Sequence, residues 1–290
     1  MLAGAPGARR AARGGLGRGG GLESTVLDQI LVARRRRLDA SRARVPLSEL
    51  QRGAEARSDL RDFAEALRGP ALRVIAELKR ASPSRGVLRV DFRPAEIARG
   101  YEAAGAAALS VLTEEDFFSG SLEDLCQARA AVALPVLRKD FVIEDYQVYE
   151  AAAAGADAVL LIVAALGAGE LPRLIELSHS LRLAALVEVH TEEELQRALD
   201  AGARIVGVNN RNLKTLEVDL ETSFRLREKI PATCPAVSES GIRTADDLKR
   251  LSAAGFDAVL IGERFMTEAD PASALADLLS LASVAPRARV

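Results

Sequence analysis

The sequence contains no tryptophan and only two histidines and two cysteines in 290 residues. Cys126 and Cys234 lie far apart and fit no metal-ligand or redox spacing, so both are read as reduced, buried thiols. No stretch of about 18 apolar residues occurs, which leaves nothing to span a bilayer, and a soluble cytoplasmic protein is expected. Neither sign of charge dominates, with 39 basic side chains against 41 acidic ones. That balance gives no basic surface for nucleic acid or membrane. The two histidines, His179 in a helical stretch and His190 just past a strand, read as surface or loop residues without a catalytic part. Acidic residues are also missing from the first 22 positions, which are mostly Gly, Ala and Arg without apolar periodicity. Such a segment cannot bury enough apolar surface to offset its ordering entropy, so residues 1–22 are expected to be disordered. It has no apolar core of a secretory signal. A plastid transit peptide would also be basic and acid-poor, but it would be Ser-rich, and the first serine here is Ser24.

What is present is a large apolar fraction, 49% of the chain, enough for a sizeable core. Regular structure is predicted to begin at Thr25-Val26-Leu27-Asp28, which has the capping-box form. Leu27, Ile30, Leu31 and Leu38 then share a helical face, with Arg34 to Arg37 as its solvated part. A second helical stretch carries Leu60, Phe63 and Leu67 and ends at Gly69-Pro70. These are too short for a core of their own, so residues 23–290 are read as one domain that includes a helical extension over 23–70.

Beyond Ala71 the pattern becomes rhythmic. Eight apolar runs, Leu72–Leu78, Ala107–Leu112, Pro135–Leu137, Ala158–Val163, Ala184–Val189, Ile205–Val208, Ala236–Val237 and Ala258–Ile261, alternate with longer amphipathic stretches. Near-continuous apolar strands separated by helices indicate a parallel sheet covered by helices. Four times a helix end is followed by glycine and then a strand, at Gly105, Gly155, Gly202 and Gly255, with spacings of 50, 47 and 53 residues. Each glycine suits the left-handed cap that ends a helix. Two β/α units per repeat make eight strands, so the fold class is α/β, a (β/α)8 TIM barrel with an N-terminal helical extension. A doubly wound open sheet is the competing architecture, but no Gly-x-Gly-x-x-Gly fingerprint follows the first strand.

Functional groups of such barrels gather at the carboxyl ends of the strands. The first strand ends in Glu77-Leu78-Lys79, the third in Arg138-Lys139-Asp140-Phe141, the fifth in Glu188-Val189 and the seventh in Ser238-Glu239-Ser240-Gly241. Any one of these alone is better read as a structural ion pair; four aimed at one mouth point to catalysis. Glu77 and Lys79, two apart on a strand, face the same side and can act as proton acceptor and donor. Asn209, Asn210 and Arg211 after the sixth strand offer amides and a fork for a carboxylate or phosphate. Glycines directly after the seventh and eighth strands, Gly241 and Gly262, let the backbone approach an anion, and barrels commonly bind phosphate there. Asp140 reads as structural, holding Lys139 or capping the next turn.

The segments Ile75-Ala76-Glu77-Leu78-Lys79-Arg80-Ala81-Ser82-Pro83-Ser84, Pro135-Val136-Leu137-Arg138-Lys139-Asp140-Phe141 and Val237-Ser238-Glu239-Ser240-Gly241-Ile242 resemble indole-3-glycerol-phosphate synthase. Leu186-Val187-Glu188-Val189 and Gly207-Val208-Asn209-Asn210-Arg211-Asn212-Leu213 extend the likeness, which runs from about Thr25 to about Leu281. The resemblance implies a carbon–carbon carboxy-lyase of tryptophan biosynthesis. It would close the ring of 1-(2-carboxyphenylamino)-1-deoxyribulose 5-phosphate with loss of carbon dioxide and water, using no metal or organic cofactor. It implies Lys139 as general acid and Glu188 as general base, with Glu77, Lys79, Asn209, Glu239 and Ser240 at the reacting end. Ser82 and Arg211 would receive the anthranilate carboxylate, Phe141 and Leu160 would wall the ring, and Gly241, Gly262 and Glu263 would hold the phosphate. The only partner required is that phosphorylated small molecule, taken up by a monomer that associates, if with anything, with other enzymes of the pathway. The alternatives are a related phosphate-binding barrel enzyme, such as a sugar-phosphate isomerase, and a non-catalytic phosphate-ligand sensor. The 290-residue length is expected to leave no room for a fused second barrel.

Overall fold

The computed structural model describes residues 25–213 and 215–282; the Gly/Arg-rich start expected to be disordered lies outside the described residues. Eight parallel strands form the barrel: β1 (Arg73–Leu78), β2 (Ala108–Leu112), β3 (Val136–Lys139), β4 (Ala158–Ile162), β5 (Ala184–Val189), β6 (Ile205–Asn209), β7 (Ala236–Glu239) and β8 (Ala258–Ile261). They pair in chain order, and β1 closes the ring by pairing with both β8 and β2, Ile75 lying opposite Leu260 and Ala108. The barrel therefore follows the eight apolar runs. The open-sheet alternative is excluded by closure.

Side-chain alternation sorts every strand into two cores. Ile75, Leu137, Leu186, Val237 and Leu260 fill the barrel interior, while Val74, Val136, Val187, Ala236 and Val259 pack outward under the helices. Because the period is two, the inner series continues toward the carboxyl mouth. Ile75 leads to Glu77, Leu137 to Lys139, Leu186 to Glu188, Val237 to Glu239, and Ile205 to Gly207 and Asn209. The charge at the mouth is thus the next pleat of the apolar core.

All four repeat glycines sit at positive φ, between 84° and 94°, where an L side chain is strained. They end helices and reset the chain for the next strand, as their spacing predicted. Past β1 the chain makes a short antiparallel ribbon, Ala81–Ser82 with Gly86–Val87. Ala81 N–H donates to the carbonyl of Phe118 at 3.1 Å, so the segments after β1 and β2 are tied together.

The extension is helical but differs from expectation both in its helices and in its basic run. Helix α1 (Val26–Arg44) starts at Thr25 with the capping box reciprocally formed. Next comes α2 (Leu47–Glu55), which sequence missed. The stretch expected to be helical around Leu60 and Phe63 is one turn only, α3 (Phe63–Ala66), with Leu60 outside it. The reason is competition for backbone and side chains. Arg61 N–H donates to Asp157 at 3.0 Å and Asp62 caps Glu65 N–H at 2.9 Å, which starts the helix late. Phe63 and Leu67 join the inner cluster and plug the amino end of the barrel.

The second difference is Arg34. It is not solvated: its side chain is 7% exposed and it pairs with Asp140 at 2.9 Å. Arg35 and Arg36 are exposed as expected, and Arg37 pairs with Glu115 and Asp116. Helix α1 is therefore clamped over the carboxyl mouth by its basic run.

Candidate active site

Three carboxylates and two ammonium groups meet at the mouth. Lys139 Nζ lies 3.0 Å from Glu188 and 3.4 Å from Glu239, and Lys79 Nζ lies 2.7 Å from Glu77. Ser110 on β2 donates to Glu77 at 3.3 Å. Glu77, Glu188 and Glu239 are all buried. Space for them comes from glycine on the neighbouring strands. A Cβ at Gly207 would overlap the Glu239 carboxylate, and one at Gly262 would overlap that of Glu77. Gly207 was not singled out in the sequence, although glycine inside an apolar strand signals a close approach.

The electrostatics follow from this packing. Burial works against the Lys139 charge, but Glu188, Glu239 and Glu77 outweigh it and hold the ammonium protonated well above its ordinary range. Burial would raise Glu188, yet Lys139, His190 and a hydrogen bond from Asn209 bring it below the usual carboxylate range. Glu239 has the poorest position. Burial, reinforced by Glu188 and Glu77 against the pull of Lys139, pushes it up to about 8, and neither oxygen accepts a hydrogen bond among the described residues. A carboxyl whose folded pKa lies above its unfolded one loses stability as pH rises through that interval, and the penalty is complete above the folded value. Glu239→Gln is therefore expected to raise the melting temperature at about pH 9 by several degrees, with little gain near pH 5. Thermal unfolding at both pH values checks this, and equal shifts would contradict it.

Around this centre the predicted binding residues divide between two cavities. Ser240, Gly241, Gly262, Glu263 and Arg211 line one of about 350 Å³, which also reaches Glu77 and Lys79. Ser240 and Gly241 hold φ of 67° and 80°, which turns the chain sharply under it. Ser82, Phe141, Lys79 and Arg211 line a smaller, mainly apolar cavity of about 80 Å³, roofed by Val26, Leu27 and Ile30 of α1. Lys79, Arg211 and Glu263 line both. Arg211 is steadied by the Leu216 carbonyl at 3.1 Å and by Glu263 at 3.6 Å.

Some expected contacts are elsewhere. Leu160 is enclosed in the inner core and lines neither cavity. Asn210 serves the protein, since its amide donates to Ser238 Oγ, the Glu239 carbonyl and the Ser240 carbonyl at 2.9–3.1 Å and accepts from Ser223. Asp140 caps Phe141 N–H at 2.8 Å but bonds Arg34, Arg138 and Thr113, with no contact to Lys139. His190 is neither exposed nor remote, its side chain being 11% exposed and 3.5 Å from Glu188. His179 lies on the helix Glu170–Ser180, and Cys126 and Cys234 are free. Among the described residues no group of three or more His, Cys, Asp or Glu side chains is gathered to hold a metal ion. No described helix is long and apolar enough to cross a membrane.

A closed parallel barrel with acid–base pairs and a glycine-lined cavity at one mouth belongs to the barrel enzymes that work on small molecules at the carboxyl end of the strands. The solved thiamine phosphate pyrophosphorylase of Pyrococcus furiosus shares this architecture. It superposes with a TM-score of 0.54 over 73% of this chain and 95% of its own, at 19% identity, a likeness of fold alone. The chain belongs to the indole-3-glycerol phosphate synthase family, decarboxylating lyases of tryptophan biosynthesis, whose model matches residues 27–278. The indole-3-glycerol phosphate synthase of Mycolicibacterium gilvum (strain PYR-GCK) is 52% identical over 257 residues, covering 89% of this chain and 94% of its own. That of Polaromonas sp. (strain JS666 / ATCC BAA-500) is 52% identical over 264 residues, covering 89% and 99%. The family resemblance seen in the strand-end motifs is thereby borne out.

Proposed function

We propose that Lys139 is the general acid and Glu188 the general base of indole ring closure. The observation that carries this is the Lys139 ammonium held between Glu188 at 3.0 Å and Glu239 at 3.4 Å. Their resting protonation suits the roles, a charged donor beside an ionised acceptor. The substrate, 1-(2-carboxyphenylamino)-1-deoxyribulose 5-phosphate, places its phosphate in the larger cavity, on the backbone of Gly241, Gly262 and Glu263 beside Ser240. Its aromatic ring enters the smaller cavity against Phe141, over the core residue Leu160, with Ser82 and Arg211 at the carboxylate.

The aryl carbon attacks the ketone carbon while Lys139 gives a proton to the ketone oxygen. The carboxyl group leaves as carbon dioxide. That loss restores the benzene ring; the new hydroxyl then departs as water with acid assistance, and Glu188 removes the proton from the adjacent carbon, which completes the five-membered ring of the indole. The Glu77–Lys79 pair polarises the reacting end, and Asn209 and Glu239 keep Glu188 and Lys139 in place. On this reading the protein is a cytoplasmic monomer, and enzymes that share its substrate or product are its expected associates.

The decisive assay mixes the protein with this substrate and follows indole fluorescence, which rises over a low background because the chain has no tryptophan. A saturable rise is expected. Folded protein that binds substrate without any rise would favour a related barrel enzyme or a sensor. Glu188→Gln should slow turnover while product affinity, measured by titration, stays close to wild type. Unchanged kinetics would remove Glu188 from the role of base.

A further inference from the structure

One largely enclosed titratable group near the mouth has no part in this chemistry. His190 follows β5 two residues after Glu188, so alternation returns its side chain to the same side. Its Nδ1 lies 3.0 Å from Glu194 Oε2, and its own backbone N–H donates to that oxygen at 2.7 Å. Glu194 sits in the first turn of the helix Glu192–Asp200, capped by Thr191, and cannot follow the ring elsewhere. The other ring nitrogen, Nε2, is buried without a hydrogen bond and lies 3.5 Å from Glu188 Oε1. The second oxygen of Glu188 takes Lys139 at 3.0 Å. Each oxygen of that carboxylate thus has its own basic neighbour.

We infer that His190, held by Glu194, is a positioning residue whose imidazolium is the second cation on the Glu188 carboxylate, opposite Lys139. The inference rests on Glu188 being the base. It explains why a histidine is set among acids: Glu188 on β5, Glu194 on the helix and Glu239 on β7 all face the ring. Lys139 on β3 stands beyond Glu188, Asn209 on β6 contributes a neutral amide, and β1 supplies the internally paired Glu77 and Lys79. Burial opposes a charge on the ring, but the Glu194 hydrogen bond and the fields of Glu188, Glu194 and Glu239 raise His190 above its ordinary value. The ring acts on Glu188 in return and favours the ionised form.

The sign of the effect is fixed. Without the imidazolium, Glu188 binds its proton more readily, so activity should fail at a higher pH. The test is the pH profile of kcat/KM for the full chain and for His190→Asn, Glu194→Gln and Glu188→Gln. His190→Asn should move the acid limb upward by about one pH unit, the ordinary effect of losing a close opposite charge, with most activity recovered above it. Glu194→Gln should move the limb less, in the same direction, and it serves if His190→Asn does not fold. A uniform loss of rate with the limb unmoved in either variant overturns the proposal. A wild-type limb surviving in Glu188→Gln would instead sink the assignment of the base. A limb lost there but unmoved in His190→Asn would sink the role of His190 alone.

Discussion

Lys139→Met is expected to lower turnover by about 10²-fold or more, the usual contribution of a positioned general acid, and to destabilise the fold as well. Methionine keeps the unbranched aliphatic stem, one atom shorter, and removes the charge. Glu188 and Glu239, both 1% exposed, then have lost their shared cation, and Glu188 retains His190 alone. Breaking a buried ion pair from one side costs about 3–5 kcal/mol, because a charge is left uncompensated. Glu239, already pushed up to about 8, can relieve part of this by staying protonated. Glu188 is held below the ordinary carboxylate range with Lys139 in place, so its stabilisation is present at neutral pH and is lost as pH falls through that depressed value. The stability difference between wild type and Lys139→Met should therefore be largest near neutrality and shrink in acid. Indole fluorescence gives the rate, and urea unfolding at two pH values gives the stability. A near-normal rate would take Lys139 out of the reaction, and a pH-independent stability loss would mean that packing alone is responsible.

The barrel was legible because its strands are buried on both faces and read as uninterrupted apolar runs. The mouth was legible for a related reason: on a strand two residues apart means one face, so Glu77 with Lys79 and Leu137 with Lys139 could be placed without a structure. What sequence could not show are pairings that depend on distant residues. Four consecutive arginines look solvated, and nothing local reveals that Arg34 meets an acid 106 positions later. His190 looked like a loop residue because its meaning lies between Glu188 and Glu194. The resemblance puts Leu160 at the ring wall, and only the register with Leu186 shows that it lies one pleat below the Glu188 layer, beneath the two cavities rather than in their lining. Helix α2 escaped notice because its buried face is only Leu50 and Ala54, with Gly53 closely packed on Ala153.

The same long-range pairing makes Asp140 sensitive although it does not line either cavity. One of its oxygens accepts from Arg34 at 2.9 Å, Arg138 at 2.9 Å and Thr113 at 2.6 Å, while the other caps Phe141. Arg138 is wholly enclosed and also bonds Glu150 at 2.8 Å and the Gln147 carbonyl at 2.9 Å. Two guanidinium groups and two carboxylates balance in this cluster, behind Lys139 and beneath α1. Asp140→Asn leaves the shape and removes the balance, so a buried arginine is left in excess, at a cost of about 3–5 kcal/mol. Burial raises the Asp140 pKa, but Arg34 and Arg138 outweigh it and hold it below the ordinary carboxylate range. Its stabilisation is therefore complete above the unfolded pKa and fades as pH falls through the depressed one. Because Arg34 anchors the helix that roofs the smaller cavity, the variant should also bind the aromatic half of the substrate less well, raising KM more than it lowers kcat. Arg34→Met should raise KM in the same way, and the double variant should lose less stability than the two single losses added together, since it removes both members of one pair. Strict additivity in urea unfolding would show that Arg34 and Asp140 act independently, and the clamp on α1 would then have to be sought at Arg37, which pairs with Glu115 and Asp116.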